Sequence, residues 1–113
     1  VFMREQRIII EMAQGIDLHG GDDLKAACRA VEQALQGASL PIFETLDMPR
    51  ELMRVVVRIG VPRPDAVDLN TISALLPYGV VQVIVEKGGL DVLILDEVAV
   101  MAAAALEVFL PLD

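Results

Sequence analysis

Apolar and polar residues alternate most cleanly over 51–60, "ELMRVVVRIG". Met53, Val55, Val57 and Ile59 alternate there with Leu52, Arg54, Val56 and Arg58, the period of a strand with one face in a core. "RIIIEMA", 7–13, and "VVQVIVE", 80–86, are rich in β-branched residues and predict two more strands. Between the first two the period changes. Leu24, Ala27, Cys28, Val31, Ala34 and Leu35 recur at helical spacing, while Lys25, Arg29, Glu32, Gln33 and Gln36 take the other face. Asp22 or Asp23 caps this helix at its start, and Gly37 ends it. A second helix follows Asp65 or Asp68, buries Val67, Ile72, Leu75 and Leu76, and stops at "PYG", 77–79. The stretch 38–49 holds two prolines and reads as a loop anchored by Ile42 and Phe43, and "KGG" closes the third strand. The segment 96–110 carries conflicting signals. Its four successive alanines favour helix by propensity, whereas "VAV" and "EVFL" favour strand. It is assigned mostly to strand, because the third strand otherwise lacks a following partner. Residues 1–6 have no pattern and are expected to be a flexible end.

The order β-α-β-α-β-β predicts an α+β fold: a four-stranded mixed sheet with two helices on one face. Right-handed crossovers place both helices on that side. The opposite face is then bare, with Leu52, Arg54, Val56 and Arg58 in its middle. Such a row suits a subunit interface in which Arg54 and Arg58 pair with acids such as Glu11 or Glu86. The 113 residues make one domain, 1–113. At 55% apolar, the chain carries more apolar side chains than a domain of this size can bury. A second copy of the chain is the simplest cover, so a homo-oligomer is expected.

Charge narrows the remaining partners. With 17 acids against 9 bases, the net charge of −8 disfavours nucleic acid and anionic membrane surfaces. No apolar run reaches the length of a membrane span and no stretch reads as a signal peptide. The lone Cys28 fits a reducing compartment, so a cytoplasmic protein is expected. No phosphate loop, HExxH or CxxC pattern is present, and neither a cofactor nor a metal site is expected.

The candidate chemistry sits in "GIDLHGGDDLKAACR", 15–29, around the only histidine. Asp17 and His19 are two apart, so in an extended segment they point the same way. A carboxylate beside an imidazole fixes its tautomer, as a general base requires. Gly20 and Gly21 precede a helix N-terminus where backbone amides bind anions, and Lys25 in the first turn would cover the anion. Arg29, one turn on, offers a fork for a carboxylate. Arg63, between two prolines in "GVPRPD", is a further ligand-binding candidate. The same residues also support a plainer reading, in which the acids satisfy turn amides, the glycines adopt positive φ and the cations are solvated.

"IIIEMAQGIDLHGGDDLKAACRAV", "RIGVPRPDAVDLNTISALLPYG" and "VEKGGL" together resemble the "Lin" family of conserved hypothetical proteins, named after a Listeria locus. The likeness runs from about residue 8 to the end and implies no particular reaction. The element order is also similar to the Bacillus chorismate mutase-like fold shared with the YjgF/RidA imine deaminases. That resemblance implies a trimer with inward-facing sheets and ligand sites in clefts between subunits. The chain lacks the arginine-centred motif of the imine deaminases and the serine–lysine pairs of the ring-opening hydrolases. Two functions therefore stand: an interface-bound site for a small polar or anionic metabolite, with His19 and Asp17 as acid/base pair, or a non-catalytic assembly module.

Overall fold

The structure, a computed structural model, describes residues 4–38, 50–77 and 79–111. Its elements are β1 (Glu5–Asp17), α1 (Asp23–Gly37), β2 (Arg54–Val61), α2 (Leu69–Ser73), β3 (Val80–Lys87), β4 (Leu90–Ile94) and β5 (Glu97–Pro111), with 3₁₀ turns at Arg50–Leu52 and Pro64–Ala66. The expected Ile42–Phe43 anchor and Tyr78 lie outside the described residues, as do the first three positions of the expected flexible end.

The fold class is α+β with a mixed sheet, as the element order implies, but the described sheet has five strands rather than four. The additional strand is β4, which forms a hairpin with the start of β5, pairing Leu90 with Met101 and Ile94 with Glu97. Its sequence hides it. "LDVLI" does not alternate, and the turn contains Leu95 at φ 55 instead of the glycine or asparagine that normally marks such a turn.

Strand order also departs from expectation. β5 does not continue from β3. It lies between β1 and β2, antiparallel to both, while β3 runs parallel to β2 at the edge. The assignment of 96–110 as strand holds, over Glu97–Pro111. β5 is the spine of the sheet: one side pairs with β1 from Val100 to Pro111, and the other pairs first with β4 and then with β2. β1 also runs four residues beyond its expected end at Ala13, because β5 supplies ladder partners as far as Asp17.

Both helices pack on one face of the sheet. Beneath them lie Val55, Val57, Ile59 and Val61 of β2 and Val100, Ala102, Ala104 and Leu106 of β5, all buried. The buried stripe of α1 is rotated from the expected one. Ala26, Ala27, Ala30, Val31 and Ala34 are deepest, while Leu24, Cys28 and Leu35 are only partly covered. The reason is the close approach of α1 to β1 at Gly15. A Cβ there would lie 2.2 Å from both Ala26 O and Ala30 N, so only small side chains fit along the seam. The N-caps are as expected: Asp22 accepts from the Lys25 amide at 3.0 Å, and Asp68 accepts from the Thr71 amide at 3.2 Å. In α2 and its approach Ile72 and Val67 are buried, with Leu75 and Leu76 partly so.

The opposite face carries no element among the described residues. Met12 is 72% exposed on it and Val80 63%. Its arginines do not use Glu11 or Glu86. Arg54 donates to Glu5 at 2.9 Å and stacks over Phe109, while Arg7 and Arg58 both approach Glu107. Register explains this: Glu11, paired with Leu106, stands on the helix-covered face, and Glu86, paired with Gly60, lies toward the far end of β2.

The contact at Gly15 gives a direct test. Gly15→Ala is expected to destabilise the fold by at least about 3 kcal/mol, the upper part of the range for overpacking, because the obstructing atoms are helix backbone. Urea unfolding measures this, and a cost below about 1 kcal/mol would show that α1 can move aside.

Candidate functional site

β1 ends at Asp17 and α1 begins at Asp23, so a short turn carries the chain from sheet to helix. Gly21 sits at φ +59 and donates its amide to Val98 O at 3.1 Å, pinning the turn to β5. Asp17 is 4% exposed, and its Oδ2 accepts the Asp22 amide at 3.0 Å. Its Oδ1 lies 3.9 Å from Lys25 Nζ and 3.8 Å from an Arg29 guanidinium nitrogen. Arg29 also donates to the Ile16 carbonyl. One buried carboxylate therefore closes the turn and draws together two cations from successive helical turns.

His19 lies apart from Asp17. Its ring is largely exposed, and Nδ1 sits 2.7 Å from Oε2 of Glu97 at the start of β5. The carboxylate that fixes the imidazole is thus Glu97, 78 positions away in sequence. No local spacing could reveal it. The expected pairing of Asp17 with His19 fails because the turn carries His19 outward while Asp17 stays under α1.

Asp17, His19, Gly20, Lys25 and Arg29 line one cleft of about 510 Å³, with Ile16, Leu18 and Asp22. Gly21 belongs instead to a neighbouring hollow of about 310 Å³ shared with His19, Asp96 and Glu97. The anion cradle expected of the glycines is largely spent. The Gly21 amide is held by Val98, the Asp22 amide by Asp17 and the Lys25 amide by Asp22. What the cleft offers a ligand is side chains: an ammonium, a guanidinium and an imidazole.

Arg63 is outside the cleft. Its backbone amide donates to Asp23 at 2.7 Å and its guanidinium to Asp23 at 2.8 Å. Two further bonds of 2.8 and 2.9 Å reach Asp91 on β4. Asp23 is 1% exposed, in the first turn of α1. Arg63 therefore joins α1, the segment after β2, and β4. Hydrogen bonds to Asp91 and Asp23 push its pKa upward, and the same contact holds the Asp91 carboxyl below the usual range. A guanidinium shared by two carboxylates has little left for a ligand.

Burial pushes the Cys28 thiol up, with Glu32 and Asp22 adding to it, so the thiolate is disfavoured. Among the described residues no group of three or more His, Cys, Asp or Glu side chains could hold a metal ion. No helix among them is long and apolar enough to cross a membrane.

A family model described as "Conserved hypothetical protein (Lin0512_fam)" matches residues 7–108. The chain belongs to this family. A search of curated proteins gives no match. Among solved structures, the crystal structure of a protein from Nostoc punctiforme is similar. It is described as FtsZ-like and of unknown function. The two share 35% identity over 97% of this chain and 99% of that one, with a TM-score of 0.83.

The Arg63 cluster fixes a pH dependence for this family member. Asp91 has a lowered pKa when folded, so its contribution is present above the ordinary Asp value of about 3.9. It is lost as pH falls through the depressed value. Asp91→Asn is expected to flatten the acid limb of a melting temperature against pH profile below about pH 4. Arg63→Ala is expected to lower the melting temperature more than Asp91→Asn at pH 7, since it strands the buried Asp23 carboxylate. Equal effects would show that Asp23 is satisfied by the backbone amide alone.

Proposed function

We propose that this protein binds a small polar or anionic metabolite in the Asp17–Arg29 cleft. One observation carries the reading: Lys25 and Arg29 both come within 4 Å of the same oxygen of a carboxylate that is 4% exposed. Neither cation is locked to that carboxylate in a close hydrogen bond, since both stand 3.8–3.9 Å from it, and both face an open cleft. With Asp17 and Asp22 also in the lining, the cleft is formally neutral in a chain whose net charge is −8. A ligand carboxylate or phosphate can be gripped there by Arg29 in a fork and by Lys25 as a point charge.

His19 is the group able to move a proton. Glu97 engages Nδ1, which leaves Nε2 as the nitrogen that gives or takes it. Glu97, not Asp17, is the orienter in this reading, and Asp17 is a positioning residue for the two cations. Assembly as a cytoplasmic trimer, which the resemblance of the element order to the Bacillus chorismate mutase-like fold implies, would put such clefts between subunits. The Nostoc relative, of unknown function, adds no reaction to this.

The second reading is a non-catalytic assembly module, favoured by the exposed apolar residues of the open sheet face. The two part in a thermal-shift screen of small carboxylates, phosphates and sugars. At about 100 times the dissociation constant, a ligand of the folded state adds about 2.7 kcal/mol, a rise of roughly ten degrees. Lys25→Ala and Arg29→Ala are expected to abolish the rise while the protein remains folded. His19→Ala is expected to fold and to lose binding or turnover. No response from any ligand class would overturn the metabolite reading. Under the assembly reading, His19→Ala or Asp17→Ala shifts the native mass or melting temperature instead.

A further inference from the structure

The open sheet face is a larger feature than the cleft. Ile16, Met101 and Leu90 stand in register across β1, β5 and β4, forming one apolar ridge. Val92 and Ile94 prolong it along the hairpin, 45% and 47% exposed. Next to the ridge, Ala103 and Gly60 pair in register, and the Gly88–Gly89 link packs against the outer side of Gly60. Beyond them stands Met12, opposite Ala105, with Ile10 on the same face.

Strands about 4.8 Å apart, rising about 3.3 Å per residue, give this face roughly 700–800 Å² of projected area. A standard interface takes about 800 Å² from each partner. The area is that of an interface half.

The charges on the face permit desolvation. Arg7 and Arg58 lie on Glu107, and Arg54 lies on Glu5, all within one chain. A partner that covers these pairs meets them already neutralised within one chain, while Glu86, beside Gly60 on edge strand β3, stays at the rim of the contact. Such a partner is apolar and flat, with ridges at strand spacing. This face itself has that description. A lipid surface fits less well, since the net charge of −8 opposes anionic headgroups.

We infer that the open face packs against the open face of a second copy of this chain, with the Ile16–Met101–Leu90 ridge and Met12 of each at the contact. The contact is sheet on sheet, with layers about 10 Å apart. It stands independently of the metabolite reading, since it uses neither Lys25 nor Arg29. Because each copy carries −8, association strengthens with added salt, the opposite of an interface built on ion pairs.

Native mass measurement at about 10 μM, a concentration at which standard-size interfaces commonly hold, is expected to show two or more copies. Met12→Lys, at a position 72% exposed in the single chain, is expected to give a folded monomer by sedimentation and circular dichroism. Lys25→Ala is expected to keep the wild-type mass. A second measurement leaves the wild type intact: mild peroxide converts exposed methionine to sulfoxide, and Met12 is expected to react at least about tenfold more slowly than in the unfolded chain. A monomeric wild type, an unchanged mass in Met12→Lys, or Met12 oxidation at the unfolded rate would each overturn the inference. A ligand response in the thermal-shift screen would survive any of these.

Discussion

The close approach of α1 to the sheet at Gly15 governs both the packing of the helix and the shape of the cleft. Backbone meets backbone there, with no room for a Cβ. The helix therefore presents Ala26, Ala30 and Ala34, and β5 answers with Ala102 and Ala104. Small residues on both sides forgo some burial per side chain but bring the helix axis nearer the sheet. That nearness keeps the turn after β1 short. It also lets Arg29, from the second turn of α1, reach back to the Ile16 carbonyl. The cleft exists because the helix starts where the strand stops.

Two buried carboxylates share that helix start. Asp17 lies just before it and Asp23 within its first turn, both under 5% exposed. The N-terminal end of a helix favours negative charge, and its free amides donate to carboxylate partners. Neither effect alone satisfies a buried anion. Asp17 takes one amide and two cations held near 4 Å. Asp23 takes an amide and a guanidinium in close hydrogen bonds. The difference separates architecture from chemistry. Around Asp23 the geometry is tight and closed, and Arg63 is consumed. Around Asp17 the cations are loosely held beside open solvent, so they can be recruited by something else.

How much of the molecule is legible in its sequence depends on the range of each interaction. β2 and β3 and both helix caps are legible because they rest on periodicity and on contacts three residues apart. The Asp22–Lys25 and Asp68–Thr71 caps are of that kind. The cleft residues Asp17, His19, Gly20, Lys25 and Arg29 are legible as a group because one strand end, turn and helix carries all of them. Their roles are not, since Glu97 reaches His19 from β5 through sheet pairing, just as Asp91 reaches Arg63, outside the cleft, from β4. β4 itself is invisible for a related reason. Its ladder with β5 supplies the order, while Leu95 at φ 55 adopts a turn conformation that its own propensity opposes. Alanine runs mislead similarly. "MAAAAL" is helical by intrinsic preference, and tertiary pairing with β1 on one side and β2 on the other overrides it.

Ile16 joins the two proposed surfaces. It lines the cleft and stands at the end of the apolar ridge, 46% exposed. β1 is an edge strand, so the cleft opens at the border of the open face rather than behind it. A second copy seated on that face would come to rest beside the cleft mouth. Any ligand that touches both chains there binds the assembled form more tightly than the single one. By linkage it must also promote assembly by the same factor. On this reading, the exposed apolar sheet and the paired cations are two halves of one device. Assembly would add a wall to an open cleft on a single edge strand, and exclusion of water by that wall would strengthen a hold on a ligand anion that Lys25 and Arg29 already have in the single chain.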